Sequence, residues 1–183
     1  MQYFVTGATG FIGKRLVKTL LARKGATVYF LLRKESERKV PELLEYWGTT
    51  KACAIPVFGD LTSKKLGVAA DDIKGLKGSI DALFHLAAVY DLKADEETQI
   101  QANVEGTRNV VEFAKAIDAK HLHHVSSIAA AGLYEGVFRE DMFDEAENLD
   151  HPYFNTKHES EKIVRKESKV PWTVYRPAFV VGD

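Results

Sequence analysis

The sequence predicts an α/β fold, a doubly wound parallel sheet with helices on both faces, and three observations predict it. The short apolar run Tyr3-Phe4-Val5 is followed at once by Gly7-x-x-Gly10-x-x-Gly13 and then by a helical pattern. Thr27-Val28-Tyr29-Phe30-Leu31-Leu32 is a continuous apolar, β-rich run rather than an alternating one, as expected of a strand covered on both faces. Further short β-rich runs recur down the chain, separated by stretches with helical spacing. Strands alternating with helices imply right-handed crossovers and parallel pairing.

Taken in order, Lys14 to Lys24 has apolar residues at 16, 17, 20 and 21 and charges between them, which is helical spacing beginning near Phe11. Gly25 fits its C-terminal cap. Glu35 to Trp47 reads as a helix whose start Pro41 limits. Cys53 to Phe58 is a third strand, and Pro56, lacking an N–H, marks it as irregular or outermost. Asp81 to His85 is a fourth strand, and Ala94 to Ile117 a long helical stretch. His121 to Ser127, Pro152 to Ser168 and Trp172 to Tyr175 read as strand, helix and strand, making six strands.

The 183 residues suffice for one domain with a real core, residues 1–183. A hydrophobic content of 45% with 28% charged residues reads as soluble and globular. The net charge of −1 argues against a nucleic-acid surface. Cys53 has no second cysteine to pair with, and its apolar neighbours suggest a buried thiol in a reducing, cytoplasmic setting. The first strand starts too early for a signal peptide, and no apolar run reaches membrane-spanning length, which leaves only peripheral membrane contact open.

The glycines carry the first chemical reading. Gly7 permits a tight turn off the strand, Gly10 lets a pyrophosphate approach the backbone, and Gly13 lets the helix pack closely. Thr9, Phe11 and Ile12 complete the phosphate-facing turn, whose helix N-terminus favours an anion. Strand, glycine turn and helix together predict a Rossmann-like dinucleotide site. Arg33 stands at the end of the second strand, where an acidic residue would hold the ribose 2′-OH of NAD. A guanidinium suits a 2′-phosphate instead, so NADPH (NADP+) is the expected cofactor. Asp60 faces the adenine or caps a helix.

Tyr153 and Lys157 are four apart and share a helix face. An ammonium beside a phenol favours the phenolate and lowers a pKa that is otherwise about 10. Tyr153 can then give a proton to a developing alkoxide. His121, His123 and His124 look metal-like, but a strand puts 124 opposite the other two, so no metal is expected. A Ser-His-Asp hydrolase built on Ser127 would lack the Gly-x-Ser-x-Gly elbow.

As an ordered set, these motifs resemble extended short-chain dehydrogenases/reductases: Thr6 to Gly13, Gly59-Asp60-Leu61, His85-Leu86-Ala87-Ala88, Asn103-Val104-Glu105-Gly106-Thr107, Ser126-Ser127, Tyr153-x-x-x-Lys157 and Tyr175-Arg176-Pro177. More narrowly, His85 to Asp91, His123 to Gly132 and Phe138 to Phe143 resemble the N-terminal reductase domain of bacterial fatty acyl-CoA (fatty aldehyde) reductases. The resemblance implies reduction of an acyl-CoA or fatty aldehyde with NADPH, to the aldehyde and in some members the alcohol. It implies Ser127, Tyr153, Lys157 and Asn103 as catalytic residues, Lys157 also holding the nicotinamide ribose. It adds Leu61, Ala87, Ala88 and Pro177 to the cofactor contacts, and Tyr90 as lining the nicotinamide pocket or only packing there. A sugar-nucleotide epimerase or dehydratase shares the glycine, Ser, Tyr and Lys set. A cofactor-binding regulatory domain without turnover is the alternative of another class. The resemblance further implies a substrate domain after the sixth strand, so the chain reads as the N-terminal fragment of a longer reductase. Its exposed sheet edge and Phe179-Val180-Val181 would favour homodimers or aggregation.

Overall fold

The computed structural model describes residues 1–87 and 100–182. Its sheet has six strands, all parallel, in the order β3-β2-β1-β4-β5-β6. These are β1 (Gln2–Thr6), β2 (Thr27–Leu32), β3 (Ala54–Phe58), β4 (Ala82–His85), β5 (Leu122–Val125) and β6 (Trp172–Tyr175). The helices are α1 (Phe11–Leu21), α2 (Val40–Trp47), α3 (Ala70–Leu76), α4 (Gly106–Ala116) and α5 (Pro152–Glu167). The strand order reverses direction between β1 and β4, and in such sheets ligands bind in the crevice at that point.

Two cores flank the sheet. Tyr3, Val5 and Phe30 pack under Val17, Leu20, Leu43 and Trp47 on one side. Phe4 and Leu83 pack under Val110, Phe113, Ile163 and Val164 on the other. Alternation along β1 thus feeds both cores, which is why its sequence is apolar without a break. Phe4 is fully buried and meets Phe113 ring to ring at 4.8 Å. Pro56 sits in β3 at the sheet edge, where the missing N–H faces no further strand.

Several expectations change. Cys53 is exposed, because β3 begins one residue later and Cys53 belongs to the preceding turn. The expected helix from Glu35 splits into a 3-10 turn, Lys34–Lys39, and α2, with Pro41 in the first turn of α2 where its missing N–H costs nothing. Gly25 is not the cap of α1, which closes at Ala22; Gly25 takes a left-handed φ of 71° in the turn that follows. Helix α3 was not foreseen, although Leu66, Ile73, Leu76 and Ile80 all pack into one core. Within the expected helix 94–117, the described part is a wide π turn, Ile100–Glu105, running into α4.

Candidate functional site

The glycine turn is built from backbone. Gly7 holds φ at 76°, and a Cβ there would meet Ala87 N at 2.7 Å. A Cβ on Gly13 would lie 2.0 Å from the Gly7 carbonyl oxygen, so a glycine there lets the start of α1 close onto the turn, while Val17 and Leu20 farther along α1 share one core with Tyr3 and Val5 of β1. Gly10 differs: a Cβ there would meet only Gly7 O, at 3.3 Å, and its extended backbone suits any residue. The protein itself does not demand a glycine at 10. Helix α1 starts at this point with no capping side chain and no acidic residue in its first turn. Backbone N–H groups at an uncapped helix start and a space free of side chain suit a diphosphate.

Gly7, Gly10, Phe11, Ile12 and Gly13 line one side of a cavity of about 760 Å³. Ser127, Tyr153, Lys157 and Pro177 line the same cavity. Thr9 is exposed at the tip of the turn and is not part of the lining. A second cleft of about 380 Å³ lies at the ends of β2 and β3, lined by Arg33, Asp60, Ser63 and Gly67 among others. Arg33 is exposed and makes no ion pair among the described residues, whereas its neighbour Lys34 is held by Glu37 at 2.7 Å. Asp60 accepts bonds from the Thr62 hydroxyl and N–H at 2.7 and 2.8 Å, which hold its carboxyl below the usual range. It thus caps its own turn and also lines the cleft. Leu61 lines neither cavity; it packs on the core, and its carbonyl accepts from Asn109. Ala87 donates its N–H to Thr6. Ala88 and Tyr90 lie outside the described residues.

At the other wall, Ser127 takes up an extended backbone at the end of β5, and its Oγ accepts the Ala129 N–H at 3.1 Å. Its hydroxyl proton is left to donate. Ser126 is buried and gives its proton to Glu161 at 2.7 Å, which separates the two serines by role. Tyr153 and Lys157 rise from the first turns of α5, where Pro152 sets the start and His151 accepts the Tyr153 N–H. Lys157 is 4% exposed and donates to the Val125 carbonyl at 3.2 Å. Burial pushes its pKa down to about 8, although the Glu161 carboxylate pulls it upward. Asn103 is buried in the π turn, and its amide lies 3.4 Å from the Thr156 hydroxyl on α5.

Sequence reasoning missed the hub beneath this wall. Glu161 is wholly buried and binds Ser126, Arg165 and Arg176, the last through two nitrogens at 2.7 and 3.1 Å. Burial alone would raise its pKa, but bonds from Arg176, Ser126 and Arg165 outweigh that and hold it ionised. Arg176 also donates to the carbonyls of Arg139 and Met142, tying the 139–142 loop to α5. The signal was available as Glu161, four residues beyond Lys157, but a glutamate in a helix full of charges reads as solvated. The three histidines divide as expected. His121 and His123 meet ring to ring on one face at 4.6 Å, and His124 is buried on the other.

No described helix is long and apolar enough to cross a membrane. Residues 5–183 match the family described as Male sterility protein. The chain is 32% identical over 98% of its length to a linear gramicidin synthase of Brevibacillus parabrevis, spanning 4% of that protein. It is 28% identical over 98% of its length to a putative fatty acyl-CoA reductase of Drosophila melanogaster, spanning 43% of it. Among solved structures, the terminal R domain from the myxalamid PKS-NRPS biosynthetic pathway superposes with a TM-score of 0.85 at 30% identity. That match covers 99% of this chain and 49% of the R domain. The chain therefore spans less than half of each of these relatives. With the glycine turn, the strand order and the Ser-Tyr-Lys wall already in place, the match fixes the affiliation: the chain belongs to the Male sterility protein family of NAD-binding domains, within the extended short-chain dehydrogenases/reductases.

Proposed function

We propose that this chain carries the cofactor site and the catalytic wall of an NADPH-dependent reductase acting on long-chain acyl thioesters, with acyl-CoA as the substrate form. The observation that carries the reading is that Ser127, Tyr153 and Lys157 line one cavity with the glycine turn. Gly7, Gly10 and the start of α1 would hold the diphosphate, Asp60 and Arg33 the adenosine end, and Lys157 the ribose nearest the reaction. When bound, the dinucleotide supplies a hydride to the thioester carbon.

The chain's own groups manage the oxygen and the proton. Ser127 Oγ donates to the substrate carbonyl oxygen, since the Ala129 N–H already occupies one of its lone pairs. Negative charge grows on that oxygen as the carbonyl is reduced, and Tyr153 Oη gives it a proton. The charged Lys157 favours the phenolate that remains. The C–S bond of the resulting hemithioacetal then breaks, the thiol leaves with a proton, and an aldehyde is formed. A second round on the aldehyde gives the alcohol. Beside the glycine turn, Ile128, Phe154, Phe179 and Val180 line the same cavity, which supports an acyl chain over a sugar diphosphate as the second ligand.

The test follows NADPH consumption with palmitoyl-CoA, with a long-chain aldehyde and with a UDP-sugar, beside cofactor titration. Oxidation of NADPH with the first two alone supports the reading. Turnover of the UDP-sugar would replace it with the epimerase class, and cofactor binding without turnover by a chain extended to the length of these relatives would favour a regulatory domain.

A further inference from the structure

A line of buried hydrogen bonds runs beneath the cavity and takes no part in the steps above. The Ala87 N–H donates to Thr6 Oγ1, which lies 2.8 Å from His85 Nδ1. Across the ring, His85 Nε2 lies 3.1 Å from Thr107 Oγ1, and that hydroxyl donates to the Asn103 carbonyl at 2.6 Å. Counting protons gives the directions. Thr107 has one hydroxyl proton and the Asn103 carbonyl takes it, so Thr107 Oγ1 can only accept from His85. His85 Nε2 therefore carries the ring proton, and Nδ1 accepts from the Thr6 hydroxyl. The ring is 2% exposed, and burial together with the nearby Lys157 pushes its pKa down to about 3, so it stays neutral.

The line continues beyond Asn103. The Asn103 amide donates to Thr156 Oγ1 at 3.4 Å, and Thr156 Oγ1 donates to the Tyr153 carbonyl at 3.2 Å. A wide π turn leaves helix carbonyls without their usual partners and often marks a functional position. Here the Thr107 hydroxyl anchors the carbonyl of the turn that bears Asn103. His124 provides the contrast. It is on the same sheet face, 5.2 Å from His85 ring to ring, yet neither of its nitrogens has a partner among the described residues. Burial in this sheet does not by itself bring a histidine two bonds.

We propose that His85 is a positioning residue for Tyr153: as the Nε2–H tautomer it holds, through Thr107, the π turn that presents the Asn103 amide to α5. The catalytic consequence rests on the reductase reading, but the bonding pattern does not.

The experiment records imidazole nitrogen, Asn103 side-chain amide and Tyr153 ring resonances by NMR in the protein, in Thr107→Val and in Thr107→Ser. In the unsubstituted protein His85 should be the neutral Nε2–H tautomer from pH 5 to pH 8. Thr107→Val should shift all three sets of signals, and Thr107→Ser, which keeps the hydroxyl, should restore them. In turnover, Thr107→Val should lower kcat about 10- to 100-fold, with the KM for NADPH within about twofold and Thr107→Ser close to normal. An Nδ1–H or charged His85 at pH 7 overturns the proposal, and that measurement needs no variant. Asn103 and Tyr153 signals unmoved in Thr107→Val overturn it too, because the line would then end at Thr107. An unsubstituted protein with no turnover would bear on the catalytic consequence alone and leave the spectroscopic outcome to decide this proposal.

Discussion

The two walls of the main cavity are made on opposite principles. The glycine turn is defined by missing atoms: a Cβ on Gly13 would strike the Gly7 carbonyl at 2.0 Å, and Gly10, whose Cβ would meet only Gly7 O at 3.3 Å, lines the cavity. The α5 wall is defined by buried charge, with Lys157 4% exposed and the Glu161 side chain wholly covered. On the proposed reading, one wall would select its ligand by shape and backbone donors. The other costs stability to keep ionisable groups at work in a poorly solvated place. Substitutions should therefore fail sterically on the first wall and electrostatically on the second.

The largest effect expected on the α5 wall is kinetic. Tyr153→Phe removes one oxygen and should lower kcat by about 10²–10⁴-fold while cofactor affinity stays near normal. Kinetics within a few-fold of the unsubstituted protein would take Tyr153 out of the proton step. The glycine wall is probed by a pair. Gly13→Ala should cost about 3 kcal/mol of folding stability, because backbone rather than a side chain must move. Gly10→Val should leave the melting curve near normal and abolish NADPH binding. If Gly10→Val still binds the cofactor tightly, the phosphates do not lie against this turn.

Lys157→Met sharpens the contrast because it should stabilise. The folded-state pKa of Lys157 is depressed to about 8 from 10.5. At pH 7 both folded and unfolded chains carry the proton, and the folded chain bears the whole desolvation cost, about 3 kcal/mol. Between pH 8 and 10.5 the folded chain releases that proton first, so the cost fades as pH rises. Less about 1 kcal/mol for the Val125 carbonyl left without a partner, Lys157→Met should gain about 2 kcal/mol at pH 7. The gain should disappear by about pH 10.5. Urea denaturation at pH 7 and pH 10 checks it, and a loss of stability at pH 7 would mean that the buried ammonium is compensated.

The smallest effect is at the cofactor's far end. Arg33 is exposed, so a contact with a 2′-phosphate would be screened, and Arg33→Asp should weaken NADPH binding by only about 1 kcal/mol. An unchanged NADPH-to-NADH preference would move the selection to another residue.

What was legible in the sequence was whatever is local. Six strands, the glycine turn and the four-residue spacing of Tyr153 and Lys157 need only neighbours along the chain to be recognised. Pro56 limited its strand to an irregular or outermost one, because a residue without an N–H cannot complete a central ladder, and the structure puts it at the edge. Partnerships across the fold were not legible. Glu161 and Arg176 are fifteen residues apart, His85 and Thr107 twenty-two, and only folding brings them together. The choice between Ser126 and Ser127 rested on resemblance, and the bond that commits the Ser126 proton to Glu161 could not be read from the sequence. Cys53 was misplaced because a one-residue shift at a strand start moves a side chain from core to solvent.

The central claim is that one cavity brings a cofactor hydride and the Tyr153 proton to the same carbonyl group. It is tested most directly with NADPH carrying deuterium on the transferring side of nicotinamide C4, mixed with palmitoyl-CoA and the protein, and the aldehyde analysed by mass spectrometry. The account predicts one deuterium at the aldehyde carbon, with Tyr153→Phe forming the same labelled aldehyde about 10²–10⁴-fold more slowly although it still binds NADPH. Aldehyde without deuterium, or labelled aldehyde formed by Tyr153→Phe at the normal rate, would contradict it.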